Sequence, residues 1–215
     1  MEGQPLITNH DITEIRRENW GLEVIIDRLF SIYKLEPLFA KLTLDRKIEY
    51  DIVAAVKFMV ATRFVEQMSK LASFHQRHSF SGFGNFDLQH LYRSLDELHR
   101  YQTEIKTHLF RSQKALSKKE IDVVFFDVTT LYFESQQSDR LRDFGFSKDC
   151  KFNETQIVLS LLITSDGRPI GYEIFPGNQY EGNTLLDCLQ QLRDFYNVQK
   201  VVIVADRGLS SFQNL

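Results

Sequence analysis

The stretch VVFFDVTTLYFE, Val123 to Glu134, decides how the second half of the chain is read. Four apolar residues lead into Asp127, and β-branched and aromatic residues continue beyond it. A run this continuous predicts a central strand buried on both faces. It also puts a carboxylate where an unpaired charge costs several kcal/mol. Two kinds of partner suit Asp127: hydrogen bonds from Thr129, Thr130 or the backbone, or a cation.

Working outward, the periodicity stays that of strands. TQIVLSLLITSDGRPIGYEIF (residues 155–175) reads as two strands around Asp166-Gly167, a strong hairpin signal. GNTLLDCLQQLRDFY (182–196) reads as a helix with Asn183 as N-cap and Leu185, Leu186, Leu189 and Leu192 on its inner face. KVVIVADRGLSS (200–211) is a β-branched strand that stops at Asp206. Strand, hairpin, helix and strand in that order imply a mixed α/β sheet.

The first half is helical, giving two regions, 1–116 and 117–215. DITEIRRENWGLEVIIDRLFSIYKL (11–35) has apolar residues near helical spacing, with Gly21 weakening its middle. Pro37 marks a break or the start of another short helix. YDIVAAVKFMVATRFVEQMSKLASFHQ (50–76) reads as one long helix. After the turn region SFSGFGNF (79–86), DLQHLYRSLDELHRYQTEIKTHLFRSQKAL (87–116) reads as another, with Asp87 as N-cap.

Composition is that of a soluble globular protein, with 18 Phe in 215 residues pointing to aromatic-rich cores. No apolar stretch is long enough for a membrane span, and the polar start is not that of a signal peptide. Cys150 and Cys188 fit no metal spacing, and free thiols in a reducing cytoplasm are expected. Residues 1–120 carry 18 Lys+Arg against 16 Asp+Glu, whereas residues 121–215 carry 8 against 13. An acidic second half argues against phosphate binding by charge alone. It suits a carboxylate site completed by a divalent metal, or simply a solvated acidic surface.

Asp127 and Asp206 are the leading pair. Ligands of α/β sheets gather at the carboxyl ends of strands, where VVIVA places Asp206. If the first and last strands are neighbours, both acids converge on one cation such as Mg²⁺. Otherwise Asp127 is hydrogen-bonded and Asp206 caps the next helix.

Together, DVTTLYFE, FGFSKD, GRPIGYEIFPGN, NTLLD and VADRGLSS resemble the catalytic core of bacterial insertion-sequence transposases of the DDE class. The resemblance covers residues 121–215, and less specifically the helical first half. It implies a partial RNase H-like mixed sheet with flanking helices. It also implies metal-dependent DNA hydrolysis at transposon ends, strand transfer by the freed 3′-hydroxyl, and two Mg²⁺ or Mn²⁺ ions in the complete enzyme. By the resemblance Asp127 is the first catalytic, metal-holding acid and Asp206 the second. Double-stranded transposon-end DNA is the implied partner, and a homo-oligomer the implied assembly. Lys148, Lys151 and Arg207 are the basic residues placed to meet DNA phosphates, although Arg207 also suits a surface ion pair.

The family's third acid, a Glu on a helix well downstream, has no counterpart among Arg207 to Leu215. Glu134, Glu173 and Glu181 lie upstream, in the wrong topological place. A truncated chain, inactive alone, is therefore expected, with apolar surface left uncovered and poor solubility. The alternative is a non-catalytic DNA-binding or inhibitory transposase fragment, and a general RNase H-like nuclease is a third reading.

Other features weigh less. Arg16, Arg17, Arg28, Arg46 and Lys47 are too dispersed to make the N-terminal helices a strong DNA-binding candidate, and dimerisation or packing suits those helices equally. His90 and His108, on one predicted helix, stand about 27 Å apart and share no metal. His75 and His78 lack a third ligand. DFG (143–145) lacks every companion motif of a kinase.

Overall fold

Gly21 opens the first helix rather than weakening its middle. In a computed structural model, α1 spans Gly21–Ile32 and the described residues before it are not helical. The structure describes residues 14–15, 17–117, 123–135, 137–145, 153–179, 188, 190 and 202–205. The chain divides into two units, Met1–Gln102 and Thr103–Leu215. Among the described residues no helix is long and apolar enough to cross a membrane.

The first unit is built around α3 (Ile52–Val65), with α1, α2 (Leu35–Leu42), α4 (Lys70–His75) and α5 (Leu88–Arg100) about it. Asp51 caps α3, its Oδ1 accepting the Ala54 N–H at 2.9 Å. Ile52, Ala55, Val56, Phe58, Met59, Ala61 and Thr62 are all buried, so α3 is covered nearly all round. The single helix expected over 50–76 is two. Glu66 turns extended at φ −153°, and Ser69 starts α4 by accepting the Ala72 N–H at 3.1 Å. A serine side chain that satisfies a first-turn amide favours a new start over continuation.

The helix expected over 87–116 also divides, at Tyr101, into α5 and α6 (Gln102–Ser117). His90 and His108 therefore lie on different helices. Asp87 is the N-cap of α5, as expected. Its N–H donates to His90 Nδ1 at 3.0 Å, which leaves the imidazole proton on Nε2. The His90 ring stacks on Tyr50, with centroids 4.4 Å apart. The SFSGFGNF turn folds its aromatics inward: Phe80, Phe83 and Phe86 are buried around Phe58, with Gly82 and Gly84 at positive φ between them.

Lys57 ties three helices together. From α3 its Nζ reaches Asp27 of α1 at 2.8 Å and Glu36 of α2 at 2.5 Å, and it sits 5.4 Å from the Phe30 ring centre. Burial pushes the ammonium pKa down, but hydrogen bonds to Asp27 and Glu36 outweigh it and the net shift is upward. A raised lysine pKa stabilises below its unfolded value and is lost as pH rises through the folded one. Lys57→Met is thus expected to cost about 1 kcal/mol at neutral pH, since both acids are half-exposed. The deficit should shrink in urea melts run above about pH 10.5; a pH-independent deficit would assign the effect to packing.

The second unit holds α6 and a four-stranded sheet, ordered β3-β2-β1-β4. The strands are β1 (Val123–Phe133), β2 (Thr155–Thr164), β3 (Pro169–Pro176) and β4 (Val202–Ala205). β2 is antiparallel to both β1 and β3, whereas β4 is parallel to β1. The architecture is the mixed α/β sheet after a helical region that the sequence implies. The β2–β3 hairpin turns through Ser165, Asp166 and Gly167. Gly167 has φ +81°, and Thr164 and Arg168 are hydrogen-bonded across the loop at 2.9 Å. Arg168 and the Thr164 hydroxyl hold the Asp166 carboxyl down to a pKa of about 2. Lys106 of α6 pairs with Glu173 of β3 and lies over the Tyr172 ring. The helix expected over 182–196 falls largely outside the described residues, but Cys188 and Gln190 are helical, and Cys188 is buried 2.9 Å from the Ser160 hydroxyl.

The sheet has one covered face. Val124 and Phe126 of β1, Val158 and Leu162 of β2 and Phe175 of β3 are buried there. On the other face Phe125 is 42% and Leu131 43% exposed, and Tyr172 and Ile174 are open too. The expectation that β1 is buried on both faces is therefore corrected. A continuous apolar run identifies a strand, but side chains alternate with period 2, and only the layer packed against each face decides what is covered.

Candidate active site

Asp127 alternates with Phe126 and so belongs to the open face, where it is exposed rather than buried. It stands opposite Leu161 in the β1–β2 ladder, and among the described residues its carboxylate accepts no hydrogen bond from Thr129, Thr130 or any other side chain or backbone N–H. The desolvation cost expected of it is absent.

Its position along β1 is informative. The parallel register with β4 runs Val123↔Val202, Val124↔Ile203, Phe125↔Val204 and Phe126↔Ala205. Asp127 is thus the first residue of β1 beyond the described pairing with β4. Ala205, the residue before Asp206 in the chain, is the partner of Phe126, the residue before Asp127. Asp206, Lys148, Lys151 and Arg207 lie outside the described residues, as does Cys150. Among the described residues no three His, Cys, Asp or Glu side chains gather as a metal site.

Two motifs do meet. Asp143 and Gln156 exchange backbone hydrogen bonds of 3.1 and 2.9 Å, so DFG pairs with the start of β2. Asn178 donates to Asp143 Oδ2 at 2.8 Å, and Gln156 Nε2 to the Gly177 carbonyl at 2.7 Å. Gly177 in turn donates to the Leu141 carbonyl at 3.0 Å. The junction also includes Asp139, whose carboxyl the N–H groups of Arg142 and Leu141 hold down to a pKa of about 2. These contacts lie where β1 ends, at Phe133↔Thr155, about 20 Å along the strand from Asp127. Their role is to fasten the 139–145 loop to the sheet. The sequence signal is a glycine at each close approach, Gly145 and Gly177, where an added Cβ would fall 2.0 Å from the Gly177 carbonyl oxygen and 2.1 Å from that of Gln156.

Comparison with known proteins is sparse. No family model matches the chain, and no curated protein does. One solved structure, a "Mos1 transposase paired-end complex with left transposon end", is a distant match with 11% identity and a TM-score of 0.29. The match covers 74% of this chain and 54% of that one, so this chain spans about half its length.

Proposed function

We propose that the chain carries part of a DDE-type transposase site, for metal-dependent hydrolysis of DNA phosphodiesters and strand transfer. Asp127 and Asp206 are its first two acids. The supporting observation is the β1–β4 register, which pairs the residues immediately preceding the two aspartates. Ligand sites of α/β sheets form where parallel strands end, and Asp127 stands at that level of the sheet. Its exposed carboxylate, taken up by no described donor, keeps both oxygens free for a hard cation. Mg²⁺ or Mn²⁺, as a pair in a complete site, would neutralise phosphate charge and activate the attacking oxygen. Asp127 and Asp206 would hold it, and Lys148, Lys151 and Arg207 would position the backbone of double-stranded transposon-end DNA.

Mn²⁺ titration followed by electron paramagnetic resonance tests the pair, alongside nicking of duplexes carrying the flanking ends. Asp127→Asn and Asp206→Asn should each weaken Mn²⁺ binding by roughly tenfold or more, the loss of one charged ligand. Binding indifferent to both changes, or nicking that survives Asp206→Ala, overturns the assignment. End-specific, salt-sensitive binding with neither metal uptake nor nicking indicates a non-catalytic DNA-binding fragment instead.

A further inference from the structure

Glu97 of α5 is only 8% exposed, yet just one of its carboxylate oxygens is satisfied. Oε1 accepts from Arg46 at 2.8 Å, which ties α5 to the segment leading into α3. Oε2 is buried and accepts no hydrogen bond. Arg100 Nε, at 3.7 Å, is within ion-pair range but too distant to donate to it. A buried charged acceptor without a donor is costly, and folded proteins seldom leave one without a reason. Glu97 lines a cavity of about 360 Å³ in the first unit, and alone among the lining residues it is buried. That volume is at the small end of the roughly 300–1,000 Å³ typical of small-molecule sites. Lys47 and Arg93 line the cavity, as do Glu49 and Asp96, and among the described residues these four side chains have no hydrogen-bond or ion-pair partner. Half-buried Ile48 and Tyr50 add apolar wall.

We infer that this cavity binds a free α-amino acid with an apolar side chain. The ammonium group supplies the donor that Glu97 Oε2 lacks. The carboxylate pairs with the Arg93 guanidinium, whose planar fork matches its two oxygens. The side chain lies against Ile48 and Tyr50. Unpaired charges of both signs around one buried carboxylate select for a zwitterion, because a ligand of either single charge leaves the opposite set unsatisfied. A nucleic-acid phosphodiester has no proton to donate and leaves Oε2 as it is. The inference is independent of the metal site, since the cavity lies in the first unit and Asp127 in the second. A ligand held by both Glu97 and the 46–50 segment joins α5 to the approach to α3, so binding stabilises the first unit.

Thermal unfolding of the full chain with L-leucine, L-methionine or L-phenylalanine at about 10 mM tests this. At least one should raise the melting temperature by a few degrees. Its N-acetyl and amide derivatives, each lacking one of the two charges, should not. Titration calorimetry with that amino acid should show binding weakened roughly tenfold or more by Glu97→Gln, which removes the charged acceptor. Glu97→Gln also disturbs the pair with Arg46, so should it unfold, Arg93→Ala decides. Arg93 is exposed and makes no described side-chain contact, and its loss should weaken binding by a similar factor without changing the circular dichroism. No shift with any of the three, equal shifts with the blocked derivatives, or binding unchanged by Arg93→Ala overturns the inference. Displacement of the amino acid by duplex DNA also overturns it, assigning the cavity to a phosphate backbone instead.

Discussion

Phe58→Ala is expected to remove about 3–5 kcal/mol from the first unit, the usual cost of deleting a fully buried ring. Phe58 has no exposed surface, and its ring centre lies 5.6 Å from Phe80, 6.0 Å from Phe83 and 4.9 Å from Phe86. The three partners come from one turn region, between α4 and α5, so their shared contact is what holds that turn on α3. Gly82 and Gly84 hold the turn at positive φ, a conformation that other residues rarely adopt. Domain stabilities are commonly 5–15 kcal/mol, so this one change removes a large share. Urea unfolding followed by circular dichroism gives the value; a loss below about 1 kcal/mol would mean that the aromatic cluster does not pack as described.

Gly177→Ala is expected to damage the second unit through overpacking. A Cβ there would fall 2.1 Å from the Gln156 carbonyl oxygen and 2.5 Å from that of Asp143, both backbone atoms already engaged in the loop-to-strand pairing. Neither yields without breaking the Asp143–Gln156 hydrogen bonds, so the cost belongs at the upper end of the 1–3 kcal/mol typical of inserted methylenes, about 3 kcal/mol. Gly21 is the control, since a Cβ at that position meets nothing within 4 Å. Thermal unfolding of the two alanine variants should differ by many degrees. Equal melting temperatures would show that the 139–145 loop is not fastened against β2.

Much of the fold was legible from the sequence. Val123–Phe133 declared itself a strand by its β-branched and aromatic run, Asp166-Gly167 marked the hairpin, and VVIVA marked β4. Helix ends were less legible. An apolar pattern continues across Ser69 and Tyr101 although the backbone does not, and a capping side chain is a weaker sequence signal than the periodicity it interrupts. Burial was least legible. The residues around Asp127 are those of a buried strand, yet Phe125, Asp127 and Leu131 face outward, because what covers a sheet face is set by distant elements. The junction of Asp143, Gln156 and Asn178 escaped notice because its members are up to 35 positions apart and each looks like ordinary turn chemistry. Asp206, Lys148, Lys151 and Arg207 rest on resemblance, with the β1–β4 register as the structural support for the first of them.

That register also has a temporal side. β1 meets β2 after a modest excursion of the chain, but its parallel partner Ile203 is 79 positions from Val124. Closing so long a loop costs entropy before any contact rewards it, and such pairings form late. On the ribosome, β1, β2 and β3 emerge well before β4 and can assemble as an antiparallel meander, leaving the far edge of β1 unpaired until nearly all of the described chain has been made. An unpaired strand edge next to Phe125 and Leu131 invites intermolecular pairing, so nascent or slowly synthesised chains are the population most exposed to aggregation.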